Sequence, residues 1–174
     1  LYLKKAIQIN PNFANAHYNL GNTLNDLGRL KEAELYLKKA IQVNPSFIEA
    51  YSNLAELSKE LGNFEEAEVY IRKAIELNPN FAITQNNLGN ILNDLGKLKE
   101  AEVYLRKAIE LNPDLASAHS NLGNLLYGKK SLKEAESSQR KAIELKPDFA
   151  EAYLNLGKIL SDVGKLEEAE LITR

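Results

Sequence analysis

The chain has 174 residues, with 22 Lys and Arg against 24 Asp and Glu, a net charge of −2 at pH 7. That balance gives no electrostatic pull toward nucleic acid or an anionic membrane, so neither is an expected partner. Cys is absent and His17 and His119 are the only histidines, which excludes disulfides, thiolate metal sites and an all-histidine metal site. Hydrophobic residues make up 44% of the chain, yet no apolar run approaches the roughly 18 residues of a membrane span. No charged-then-apolar leader opens the sequence, and a cytoplasmic location is expected. Met is absent and the first residues read as the middle of a helix, so a segment of a longer protein is expected.

The five prolines share one interval. Pro11, Pro45, Pro79, Pro113 and Pro147 stand 34 residues apart. Five prolines in one phase at that period have odds of about one in a million. The period divides the chain into a half unit (1–13), full units at 14–47, 48–81, 82–115 and 116–149, and a cut unit (150–174). We read them as one array.

Each unit predicts two helices and two stops. In the first full unit, Ala16, Leu20, Leu24 and Leu27 recur at helical spacing over Ala14 to Leu27. Gly28 then supplies a left-handed cap, as do Gly62, Gly96 and Gly164 in later units. Leu30 to Val43 forms the second helix, with Ala33, Leu37, Ala40 and Ile41 on one face. Asn44-Pro45 ends it, because the residue before proline is pushed out of helical geometry. Phe47, Phe81 and Phe149, with Leu115 in one unit, are expected to plug the bend that follows. Gly21, Ala55, Gly89, Gly123 and Gly157 sit within first helices, opposite Ala33, Ala67, Ala101, Ala135 and Ala169. Glycine there costs about 1 kcal/mol against alanine, which predicts a neighbour pressed against it. The unit 116–149 departs most: Lys130 replaces the capping glycine, and Ser137-Ser138-Gln139 replaces Leu35-Tyr36-Leu37. With three large apolar groups lost from burial there, at about 1.5–3 kcal/mol for each fully buried side chain, it is expected to be the softest interior part.

Leu-Gly in the first helix, Ala in the second, another Ala seven residues on and then Pro resembles the tetratricopeptide repeat. In 82–115 the matching residues are Leu88, Gly89, Leu92, Ala101, Leu105, Ala108 and Pro113. The family's opening aromatic is weakened to His17, Tyr51, Gln85, His119 and Tyr153. The resemblance implies an all-α fold: an α-solenoid of 34-residue helix-turn-helix units in a right-handed superhelix. First helices would line its concave face and second helices its convex face, and such arrays act as protein-binding scaffolds.

No catalytic constellation is found. His17 and His119 hold one repeat position three units apart, so they share neither a metal nor a triad; a ring filling the Tyr51 slot is the simpler reading. The glycines are single, not a phosphate cradle. Asn25-Asp26-Leu27-Gly28 lacks the alternating acids and closing Glu of a calcium loop. No enzymatic activity, cofactor or metal is expected.

The concave face carries a ladder of asparagines: Asn19, Asn53, Asn87, Asn121 and Asn155, flanked by Asn22, Asn90 and Asn124. Asn is a poor helix former, and its amide both donates and accepts, matching one peptide group. The ladder resembles that of the tetratricopeptide superhelix in O-linked N-acetylglucosamine transferases. Two Glu slots, at Glu32 and Glu34 and every 34 residues after, are just as regular; they are expected to be solvated, so regularity alone does not prove a ligand. Asn22 could equally bond the next repeat. Exposed first-helix positions hold Asp26, Glu49, Glu56, Glu60, Asp94, Glu151 and Asp162 against Lys59 and Lys158, seven minus two, or −5. The expected function is a scaffold binding an extended, neutral to basic protein segment. The alternatives are a self-assembly module, homo-oligomeric through exposed end helices, and a substrate-delivery segment of a larger enzyme such as a glycosyltransferase.

Overall fold

The 34-residue period becomes a run of α-helices in the computed structural model, which describes residues 2–173; among the described residues there is no strand. They fall into two compact units, residues 1–80 and 81–174. The first holds α1 (Tyr2–Ile9), α2 (Ala14–Asp26), α3 (Leu30–Val43), α4 (Ile48–Glu60) and α5 (Phe64–Leu77). The second holds α6 (Ala82–Asp94), α7 (Leu98–Leu111), α8 (Ala116–Gly128), α9 (Leu132–Leu145), α10 (Ala150–Asp162) and α11 (Leu166–Thr173).

The helix ends follow from local chemistry. Asn44, Asn78 and Asn112, each before a proline, are extended with φ of −127°, −144° and −144°. Each also accepts, through Oδ1, the backbone N–H two residues on, at 3.1, 3.2 and 3.1 Å. These Asx turns tie the bend in a way that the proline alone cannot. At the other end of the hairpin, Gly28, Gly62, Gly96 and Gly164 take φ of 70–80°. The Arg29 N–H returns to the Leu24 carbonyl at 2.9 Å and that of Gly28 to Asn25 at 2.8 Å, closing a Schellman cap. Lys130 adopts the same left-handed geometry at φ 63° despite its Cβ.

In the first unit, α2 packs on α3 and α4 on α5, and α4 lies against both α2 and α3. In the second, the α6–α7, α8–α9 and α10–α11 hairpins stack likewise, so first helices form one layer and second helices another. The cores repeat as well: Ala33, Leu37 and Ala40 are buried, as are Ala67, Ile71, Ala74, and Ala101, Leu105, Ala108. In α9 the same positions hold Ala135, Gln139 and Ala142, and Gln139 is fully buried.

Three expectations need correction. Position 35 is not a core slot: Leu35 and Val103 are 65% and 63% exposed, so Ser137 forfeits no burial. The bend aromatics are partial plugs: Phe47 packs on Tyr18 at 4.8 Å between centroids, whereas Phe81 is exposed. The regular glutamates make the expected i,i+4 pairs, as Arg72 does with Glu68 at 2.8 Å, but they also reach across repeats. In the first unit Lys38 joins Glu34 of its own helix at 2.5 Å and Glu66 of the next repeat at 3.2 Å. In the second, Arg106 bridges Glu102 and Glu134, Arg140 bridges Glu136 and Glu168, and Lys165 reaches back to Glu136 at 2.8 Å. Lys129 pairs with Glu102. Within each unit, neighbouring repeats are thus laced together by ion pairs.

Candidate functional site

First helices expose the asparagine face because Ala16, Leu20 and Leu24 turn inward, leaving positions 15, 19, 22 and 26 off the packed side. Asn19 is exposed, while Asn53, Asn87, Asn121 and Asn155 are half-buried, as are Asn22, Asn90 and Asn124. Their amides point along the layer rather than straight out. In the first unit Asn53 Nδ2 donates to Asn22 Oδ1 at 2.8 Å and to Tyr18 Oη at 3.2 Å, both on the preceding repeat. In the second unit Asn121 Nδ2 donates to Asn86 Oδ1 at 3.0 Å, again 35 residues back, and Asn86 Nδ2 in turn approaches Asn87 Oδ1 at 3.3 Å. These bonds engage the Nδ2 groups of Asn53 and Asn121 and leave their Oδ1 atoms as acceptors.

The pattern breaks at Asn155. Its partner by position would be Ser120, and its second acceptor Asn124. Gln139 intervenes: its Nε2 donates to Asn124 Oδ1 at 2.9 Å and to the Ser120 carbonyl at 3.0 Å. Asn155 Nδ2, Ser120 Oγ and Gln139 Oε1 are consequently shut from solvent without partners. By sequence alone Gln139 is a lost apolar group; its capture of Asn124 has no signal in periodicity. Tyr18, Asn25, Asn86 and Tyr127 were likewise missed, since each belongs to a slot that varies between units.

Two pockets open between first helices. One, between α2 and α4, encloses about 330 Å³ and is lined by Asn22, Asn25, Asp26, Leu37, Asn53 and Glu56. The other, between α8 and α10, encloses about 200 Å³ and is lined by Asn124, Tyr127, Asn155, Lys158 and Ile159. Tyr127 donates its hydroxyl proton to Asp162 Oδ2 at 2.7 Å, a bond that raises the phenol's pKa. The seven acids counted on these helices are all exposed.

The histidines serve structure. His17 is buried against Tyr36, ring centroids 6.1 Å apart, and His17 Nε2 lies 2.8 Å from the Pro11 carbonyl oxygen. His119 repeats the contact with Pro113 at 2.9 Å. A carbonyl only accepts, so Nε2 carries the proton in both. Among the described residues no three His, Cys, Asp or Glu are placed to hold a metal, and no helix is long and apolar enough to cross a membrane.

Repeat models match 14–47, 48–81, 70–103, 116–149 and 139–170 as tetratricopeptide repeats, and 89–130 as a TPR repeat. The chain belongs to the tetratricopeptide repeat family. Among solved tetratricopeptide structures it is similar to YrrB, a TPR protein with an unusual peptide-binding site, at 27% identity and a TM-score of 0.72. That likeness covers 98% of this chain and 88% of YrrB. PilF of Pseudomonas aeruginosa is 24% identical with a TM-score of 0.82, over 91% of this chain and 72% of its own. MamA is 24% identical with a TM-score of 0.73, over 88% and 90%. These two likenesses speak to the fold alone. No curated protein matches the sequence. As many as 424 solved chains match this one, so function has to be argued from the first-helix face itself.

Proposed function

We propose that the chain is a protein-interaction scaffold whose first-helix face binds an extended peptide segment and performs no chemistry of its own. Asn19, Asn53, Asn87, Asn121 and Asn155, with Asn22, Asn90 and Asn124 beside them, would form the contact surface. The observation that carries this reading is the orientation of Asn53 and Asn121. Their Nδ2 groups are held by the preceding repeat, which would leave each Oδ1 to accept a backbone N–H of an extended chain. The exposed acids of these helices favour a neutral to basic segment. The peptide-binding site of YrrB supports the same use of the fold. The sequence period runs unbroken through residues 80 and 81, which supports treating 1–174 as one array.

Asn121→Ala and Asn121→Asp separate ladder from ligand. Both lose the bond to Asn86 and should lower stability, but Asp keeps an acceptor at the same place. With a peptide selected from a randomised display library on the wild-type protein, fluorescence anisotropy should show binding weakened about two- to tenfold by Ala, a net hydrogen bond. Asp should bind at least as well as wild type. Equal binding by the Ala variant, or failure to select any peptide, would reject the reading.

A further inference from the structure

The pocket between α2 and α4 has unmet hydrogen-bonding capacity that is mostly acceptor. Asn53 donates to Asn22, which fixes both side chains. Asn25 Oδ1 lies out of solvent and accepts from nothing. Asp26 and Glu56 are exposed at the rim, and neither is paired with a cation among the described residues. Asn53 lines the same space, and Leu37 supplies an apolar wall. Apart from Asn22 Nδ2 and Asn25 Nδ2, the side-chain polar atoms left over are acceptors, and two of the groups, Asp26 and Glu56, are charged. Its 330 Å³ has room for on the order of ten waters at about 30 Å³ each, or for one long side chain.

A group that answers this lining has several donors in a plane, a positive charge and an apolar stem. Ammonium meets the charge but presents its donors from a point. Guanidinium carries five N–H groups in a fork that can engage a carboxylate and an amide oxygen together. We infer that the α2–α4 pocket is a subsite for an arginine side chain of the bound segment.

The other unit contains a counter-example built from the same positions. Between α8 and α10, Asn124 and Asn155 stand where Asn22 and Asn53 do, but Tyr127 replaces Asn25 and Gly128 replaces Asp26. Gln139 replaces Leu37, and Lys158 replaces Glu56. The pocket shrinks to about 200 Å³ and its one charged lining residue is a cation. Guanidinium is repelled there. One chain thus holds an arginine pocket and its charge-reversed copy, so selectivity can be read against an internal control.

The inference rests on the proposed groove function only for how arginine arrives, so the probe is a single residue. Protein labelled with nitrogen-15 is titrated with N-acetyl-arginine N-methylamide and with its neutral isostere, N-acetyl-citrulline N-methylamide. The side-chain amide signals of Asn22, Asn25 and Asn53 should shift saturably with arginine, with those of Asn124 and Asn155 unmoved. Citrulline, and arginine added to the Asp26→Asn/Glu56→Gln variant, should each bind roughly tenfold more weakly, the loss of a charge-assisted bond. Circular dichroism confirms that the variant is folded. Unmoved Asn22, Asn25 and Asn53 signals, equal binding of citrulline, or equal shifts at Asn124 would each overturn the subsite. Saturation by arginine when no library peptide binds would support the pocket while rejecting the groove function. Selected peptides that bind without arginine enrichment, with the probe silent, would reject the pocket and keep the groove.

Discussion

A Cβ placed on Gly89 would lie 2.6 Å from Leu105 Cγ and 3.2 Å from the Ala101 carbonyl oxygen. Gly21 meets Leu37 Cγ at 2.8 Å and the Ala33 carbonyl at 3.3 Å in the same way. The glycine was legible in sequence as a close approach, but the partner was not. A leucine branch point, more than backbone, fills the missing volume. Ala55 occupies the equivalent position where the facing residue is Ile71, and both are buried. Gly89→Ala should therefore destabilise by about 1 kcal/mol net, an overpacking cost of about 1–3 kcal/mol offset by about 1 kcal/mol of helix propensity. Urea midpoints measure it. Adding Leu105→Ile, which recreates the Ala and Ile pair, should restore most of the loss. If Gly89→Ala alone raises the midpoint, the contact is softer than these distances imply.

At the scale of the helix, α9 carries several departures together. Gln139 replaces a leucine and leaves Oε1 buried without a partner, Ser138 replaces a half-buried tyrosine, and the preceding turn holds Lys130 at φ 63°. A left-handed non-glycine costs about 1–2 kcal/mol, and a buried unpaired polar atom about 1–3 kcal/mol. Hydrogen exchange should therefore open residues 132–145 faster than α7 in the same unit. Gln139→Leu, which restores the Leu105 arrangement and frees Asn124 for Asn155, should slow that exchange. Equal protection of α7 and α9 in the wild-type chain would reject this account. The helix and its weak turn could be read from sequence because proline, glycine and apolar spacing act locally. The exposure of position 35 could not, since an apolar residue at helical spacing carries no mark of whether a further layer covers it. Nor could the Asn53 bond to Tyr18: it joins residues 35 apart, and its acceptor slot reads Tyr18, Ser52, Asn86, Ser120 and Leu154 along the chain.

Over the whole molecule, the regular glutamates should add to the acid sensitivity of the fold. Hydrogen bonds from Lys165 and then Arg140 hold the Glu136 carboxyl below its ordinary pKa, and Lys129 and Arg106 do the same for Glu102. In the first unit the Tyr70 hydroxyl and Lys38 lower Glu66. A carboxylate depressed in the folded state contributes stability that is complete above its unfolded pKa, about 4.3. That contribution is lost as pH falls through the folded value. Each exposed pair contributes only about 0–1 kcal/mol and is screened by salt, so the effect is a sum over the layer. Thermal midpoints should hold steady from neutrality to about pH 5 and then decline. Glu102→Gln/Glu136→Gln should start lower at pH 7, and its gap to wild type should close as pH drops below the folded pKa values. Salt should narrow the gap at pH 7 and leave it unchanged in acid. A gap of constant size from pH 7 to pH 3 would mean that the two glutamates act through packing, and that the second-helix layer is not held by charge.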